Sequence, residues 1–264
     1  MTKNALVAAA SVLLLLGGAC GSSGSTGDGQ DVAGEVTVFA AASLTGAFTA
    51  IGDAFMLEHP DTKVTVSFAS SSDLVTQINE GAPADVFASA DQSSMNKLTD
   101  AAGNAGAPQT FATNSLQIIV GSGNPKSITG LADLAEPEVI VVTCAPEVPI
   151  GKYTAEVLAA ANVTVTPASL EDNVKGIVTK VTLGEADAGI VYKTDVIAAG
   201  DKAEGVEIPA DVNVTAEYPI VATKDSPNPA GGRAFVDFVL GEQGQKILGT
   251  YGFTSSVTSP FTSP

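Results

Sequence analysis

The hydrophobic period changes once between Val36 and Phe55. Val36, Val38 and Phe39 are strand formers. Three alanines then lead to Ser43, after which Leu44, Ala47, Phe48, Ile51 and Phe55 recur at 0, 3, 4, 7 and 11, one apolar helical face. Ser43 therefore falls where a strand gives way to a helix. A helix start offers free N–H groups and a partial positive charge. A small hydroxyl residue there is a helix cap, an anion ligand, or both.

The same design recurs. His59-Pro60 ends the first helix, Val64, Val66 and Phe68 alternate as a second strand, and Ala69-Ser-Ser-Ser-Asp73 leads into a helix carrying Leu74, Val75 and Ile78. Asp85 to Asp91 is a third strand running into an acidic turn, with a helix near Ser93 to Ala101. Three successive strand–helix pairs predict a parallel sheet. From Asn114 onward, strands are predicted at 116–120, 139–144, 187–192 and 206–208. Helices are predicted near 131–135, after the rigid turn Pro146 to Gly151, and through Val174, Ile177, Val178 and Val181. A strand at Glu217 to Ala222 and helices through Phe235, Phe238, Val239 and on to Tyr251 return to the first group, which has too few elements to close its own core. The expected organisation is α/β with two lobes, 35–113 plus 217–253 and 114–216, joined by two crossings around a cleft. The Ser, Thr and Pro-rich end, 254–264, reads as a poorly ordered tail.

Composition narrows the function. With 29 acidic and 12 basic residues the net charge is −17, which excludes a nucleic-acid partner because nothing would neutralise phosphates. Residues 1–19 read as a signal segment, with Lys3, an apolar run from Ala5 to Leu16, and small residues before Cys20. That arrangement resembles a bacterial lipobox, although Gly17 stands where leucine is usual. The reading is lipidation of Cys20, with 20–34 as a Gly/Ser/Thr-rich tether holding the protein outside the cell membrane; an ordinary secretory signal is the alternative. Cys144 then lacks a partner and reads as a small buried hydrophobe at a strand end.

Most enzymatic motifs are missing. The single histidine, His59, beside a helix-ending proline, reads as a surface residue. There is no Gly-x-Ser-x-Gly elbow, no Cys/His cluster for a bare metal ion, and no phosphate-binding Gly-x-x-x-x-Gly-Lys-Ser loop. A carboxylate pair for glycoside chemistry stays open, but tryptophan is absent and aromatics are 5%. A non-enzyme without a cofactor is expected. What remains is a set of candidate donors at predicted strand ends and helix starts: Ser43, Ser71, Ile150, Val174 and Tyr192. For the serines the competing role is helix capping, and for the other three it is core packing. Ile150 and Val174 can contribute only backbone N–H groups. The four tyrosines are not adjacent in sequence, which argues against a ferric-ion site.

Val36 to Thr45, Phe68 to Ser72, Gly81 to Asp91, Pro146 to Gly151, Glu171 to Lys175 and Gly189 to Tyr192 together resemble the molybdate-binding component of molybdate ABC transporters, over roughly Glu35 to Phe253. The resemblance implies a type II periplasmic-binding-protein fold with a ligand cleft between the lobes. It also implies a monomer that captures molybdate, with tungstate beside it, for a membrane permease with a cytoplasmic ATPase. The oxyanion ligands it implies are the hydroxyls of Ser43, Ser71 and Tyr192 and the amides of Ile150 and Val174; family members often have alanine where Ile150 stands. Molybdate near neutral pH only accepts hydrogen bonds, so a donor-only site suits it. Another tetrahedral oxyanion such as sulfate, or a surface hydrolase using Ser43, are the alternatives.

Overall fold

A computed structural model describes residues 32–257. The expected signal segment, Cys20 and most of the tether lie outside those residues, as does the end of the tail. The first strand, β1 (Gly34–Ala41), passes through a short 3-10 turn (Ala42–Leu44) into α1 (Thr45–Glu58). All five residues of the predicted apolar face, Leu44 to Phe55, are buried. β2 (Thr62–Ala69), α2 (Ser71–Asn79), β3 (Val86–Ala88) and α3 (Gln92–Asp100) repeat the design. Then follow β4 (Gln109–Gly121), β5 (Val141–Cys144), α4 (Pro149–Ala160), β6 (Ser169–Glu171), α5 (Val174–Thr182), β7 (Ala188–Tyr192), α6 (Lys193–Ala199) and β8 (Ala203–Glu207). The chain returns through β9 (Thr215–Ala222), α7 (Pro229–Leu240), α8 (Glu242–Thr250) and β10 (Thr254–Ser255).

The strand order is β2-β1-β3-β9-β4-β7-β5-β6, with β8 and β10 also paired to β4. β1 runs parallel to β2 and β3, and β5 runs parallel to β6 and β7. The first three strands are parallel as expected, but the sheet as a whole is mixed. β9 is antiparallel to β3 and to β4, and β4 is antiparallel to β7 and β8, because β4 and β9 carry the chain out of one half-sheet and back.

β4 belongs to both halves. Gln109 to Ser115 pair with β9, whereas Leu116 to Gly121 pair with β7 and β8. The predicted strand at 116–120 is thus only the second half of a 13-residue strand. Its first half, Gln-Thr-Phe-Ala-Thr-Asn-Ser, lacks the continuous apolar run that announced the second. Beside the switch, Asn213 accepts from the Leu116 N–H at 3.3 Å and donates to its carbonyl at 3.0 Å, imitating a strand partner. The result is an α/β fold of two lobes.

The C-terminal helices do return to the first half, where α7 packs on β1, β3 and β9, and α8 on α1. The few aromatics are concentrated there: Phe48 lies 5.6 Å from Phe111, and Phe55 meets Phe235 edge-on at 5.3 Å between ring centroids. His59 is half-buried rather than fully exposed, its ring 4.5 Å from that of Phe55. Cys144 is buried with a free thiol. Thr254 and Ser255, expected to begin the unstructured tail, instead pair antiparallel with Thr113 and Ala112, using the backbone groups that β4 leaves open there.

Candidate functional site

Five strand-to-helix junctions converge on one cavity. Ser43 follows β1, Ser71 opens α2 after β2, Ile150 is the second residue of α4 after β5, Val174 opens α5 after β6, and Tyr192 ends β7 immediately before α6. All five residues line the same space, which measures about 20 Å³ and admits only a compact ligand. Ala41, Ala42, Ser70 and Ala90 complete the wall from the first half; Val148, Pro149 and Asn173 complete it from the second. A cleft outside the carboxyl ends of strands is where open α/β sheets place ligands. Here helix N-termini from both halves face it, each contributing positive dipole character.

The serine run resolves into separate roles. Ser70 caps α2, its Oγ accepting from Asp73 N–H at 3.2 Å and lying 3.0 Å from Ser72 Oγ. Ser71 Oγ points the other way and accepts from Ala90 N–H at 3.0 Å. Its own proton remains to be donated. Ser43 Oγ lies 3.1 Å from the hydroxyl of Tyr218, a buried β9 residue that no sequence motif singles out. Ile150 and Val174 occupy the first turn of their helices, where N–H groups lie outside the intrahelical ladder. Asn173, not Val174, caps α5, its side chain accepting from Lys175 N–H at 3.0 Å.

Tyr192 is 1% exposed, and among the described residues its hydroxyl makes no hydrogen bond. A buried hydroxyl without a partner is costly, and on a cavity wall it marks where a ligand would complete it. Burial pushes its pKa well above the ordinary tyrosine value, so it is a neutral donor.

Sequence separation concealed a cluster of tyrosines. Tyr153 and Tyr192 lie 6.4 Å apart between centroids, and Tyr192 and Tyr218 lie 5.6 Å apart, both edge-on. The case against ferric iron rests instead on their state. The Tyr218 hydroxyl is held by Ser43 and that of Tyr153 donates to Ala90 O at 3.4 Å. Burial raises the pKa of all three, away from the phenolates that iron needs. Among the described residues no group of three His, Cys, Asp or Glu is placed to hold a metal ion.

Among the described residues no charged side chain lines the cavity. The lysines in the first turns of α4 and α5 are already paired: Lys152 Nζ bonds Asp91 at 2.8 Å and Lys175 Nζ bonds Asp195 at 2.7 Å. Asp195 is fully buried, and burial raises its pKa against the opposing pull of Lys175. The arrangement can therefore hold a small anion by neutral donors alone.

Residues 36–254 match the family described as bacterial extracellular solute-binding proteins. The chain belongs to that family. It is 42% identical over 218 residues to the molybdate-binding protein ModA of Mycobacterium tuberculosis, covering 83% of this chain and 84% of that one. It is 37% identical over 253 residues to ModA of Escherichia coli, covering 92% and 97%. Its fold matches the periplasmic molybdate-binding protein of Azotobacter vinelandii with a TM-score of 0.72 at 23% identity, over 83% of this chain and 98% of the other. Family membership makes the chain a solute-binding protein rather than an enzyme, and the family is extracellular.

Proposed function

We propose that this chain captures molybdate, and tungstate beside it, in the cavity between its two lobes and delivers the ion to an ABC permease driven by a cytoplasmic ATPase. The observation that carries this is the unpartnered Tyr192 hydroxyl on a wall of donors. Ser71 has a hydroxyl proton to offer, Ser43 has one when Tyr218 donates to it, and Ile150 and Val174 each offer an amide. A fully deprotonated oxyanion satisfies every one of them. A hydrogenphosphate would bring a proton that finds no carboxylate to accept it, since among the described residues none lines the space. The names of the relatives support molybdate as the ion.

The change of partners along β4, and the return at Thr215, support lobes of 35–113 with 217–253 and of 114–216. The lipobox-like residues before Cys20 support lipid anchoring of a monomer on the outer side of the membrane. Isothermal titration with molybdate, tungstate, sulfate and phosphate is the test. Molybdate and tungstate are expected to bind one per chain and phosphate to bind negligibly. Sulfate binding as tight as molybdate would overturn the selectivity, and no oxyanion binding would overturn the function.

A further inference from the structure

Ser43 carries a hydroxyl whose proton can point in either of two directions. Its Oγ is 3.1 Å from the Tyr218 hydroxyl, and either oxygen could donate. Only if Tyr218 donates is the Ser43 proton free for an anion. If Ser43 donates to Tyr218, its lone pairs face the cavity and repel the anion. The surroundings of Tyr218 decide between these arrangements.

Tyr218 is 0% exposed, so water does not compete for its hydroxyl. Its ring is fixed edge-on against Phe111, Phe253 and Tyr192, at 6.2, 5.3 and 5.6 Å between centroids. Asn114, at the point where β4 changes partners, has its carbonyl taken by Ser115 N–H at 3.0 Å and donates from Nδ2 to Thr194 Oγ1 at 2.9 Å. Among the described residues the Tyr218 hydroxyl has one hydrogen-bond partner, Ser43 Oγ. A buried phenol proton left without an acceptor is costly, so it goes to Ser43 Oγ and leaves the Ser43 proton for the cavity.

We propose that Tyr218 is a positioning residue for the oxyanion site: it donates to Ser43 Oγ and so holds the Ser43 O–H aimed into the cavity. Ser71 is loaded in the same way, since Ala90 N–H occupies its acceptor side. Both serines are thereby committed as donors before any ligand arrives. This bears on selectivity as well as affinity, because a serine that presents its proton to the cavity meets the oxygens of molybdate as a donor and is poorly placed to accept the proton of hydrogenphosphate. The inference rests on the oxyanion-binding reading above and adds to it the residue that fixes the polarity of one donor.

The test is a double-mutant cycle by titration calorimetry on the wild-type chain, Tyr218→Phe, Ser43→Ala and the double variant, with molybdate and phosphate. Phenylalanine keeps the ring and its edge-on neighbours, and thermal unfolding checks the fold. Tyr218→Phe is expected to weaken molybdate about tenfold where Ser43 is present and less than about twofold where it is alanine. The preference for molybdate over phosphate is expected to narrow in Tyr218→Phe, a change that loosened packing would not produce. An equal loss in both backgrounds, or unchanged affinity and preference, would overturn the role of Tyr218 alone. Absence of oxyanion binding by the wild-type chain would overturn the functional reading and this role together.

Discussion

Lys152 and Asp91 join the two lobes beside the cavity. Lys152 Nζ lies 2.8 Å from Asp91 Oδ2 and 3.1 Å from Ser93 Oγ, with the Asp91 side chain only 4% exposed. Lys152 stands two residues beyond Ile150 on α4, and Asp91 directly follows Ala90, whose amide holds Ser71. The pair can form only with the lobes together. Its other bonds, from Ser94 N–H and Ser89 Oγ, lie within the first lobe and would persist on opening. Lys152→Gln is therefore expected to speed molybdate release about tenfold, a loss of about 1–2 kcal/mol for a partly buried pair, with little change in the association rate. Stopped-flow dissociation measures this; an unchanged release rate would detach the ion pair from closure.

Tyr192→Phe should move affinity and stability in opposite directions. The hydroxyl is buried and unpartnered among the described residues. Removing it relieves a desolvated polar group, so the ligand-free protein should gain up to about 1 kcal/mol in chemical denaturation. It also removes a donor to a charged ligand, so molybdate affinity should fall by about 1.5–3 kcal/mol. Loss of stability in the ligand-free form would show that the hydroxyl has a structural partner instead.

The pH dependence follows from the same burial. Tyr192 and Tyr218 have folded pKa values raised above the ordinary tyrosine value. A raised pKa favours the protonated form in the fold. That contribution is fully present below the unfolded value of about 10 and is lost as pH rises through the higher folded values. Molybdate affinity is therefore expected to vary less than about threefold from about pH 6 to about pH 9. Titrations across that range check it; a midpoint near neutrality would require a different titrating group at the site.

Gly151 sets the position of the Ile150 amide. A Cβ at Gly151 would overlap the carbonyl oxygen of Ala145 and press on that of Cys144. The glycine thus lets the first turn of α4 lie against the chain leaving β5. Gly151→Ala should cost about 1–3 kcal/mol of stability and also weaken molybdate, because the turn carrying Ile150 must shift. Thermal unfolding with and without molybdate separates the two effects. A loss of stability with unchanged affinity would show that the strain is absorbed away from the cavity.

The site was legible in the sequence wherever a helix start coincided with a change of hydrophobic period. Ser43 and Ser71 satisfy that condition; Val174 was read as a helix start and Tyr192 as a strand end, and the turn around Ile150 was marked by two prolines and a glycine. The assignment within Ser70 to Ser72 could not be read locally, because each serine can cap; the distant Ala90 amide distinguishes Ser71. Tyr218 was invisible as a site residue because its role depends on Ser43, 175 positions away. β6 and α6 were missed because they are short: three and seven residues carry too little period to register. The mixed sheet was missed because strand direction is set by the crossings of β4 and β9, which no local pattern encodes.

The double membership of β4 constrains how the lobes can part. One unbroken strand runs through both half-sheets, and the Asn213 side chain clamps the second crossing to Leu116 in the first. Two crossings tied side by side form a pivot, which resists sliding and separation and yields mainly to bending about one line. Any opening of the lobes would then have essentially a single degree of freedom, an angle between the two half-sheets. A membrane partner touching both outer rims could read that angle without contacting the ion.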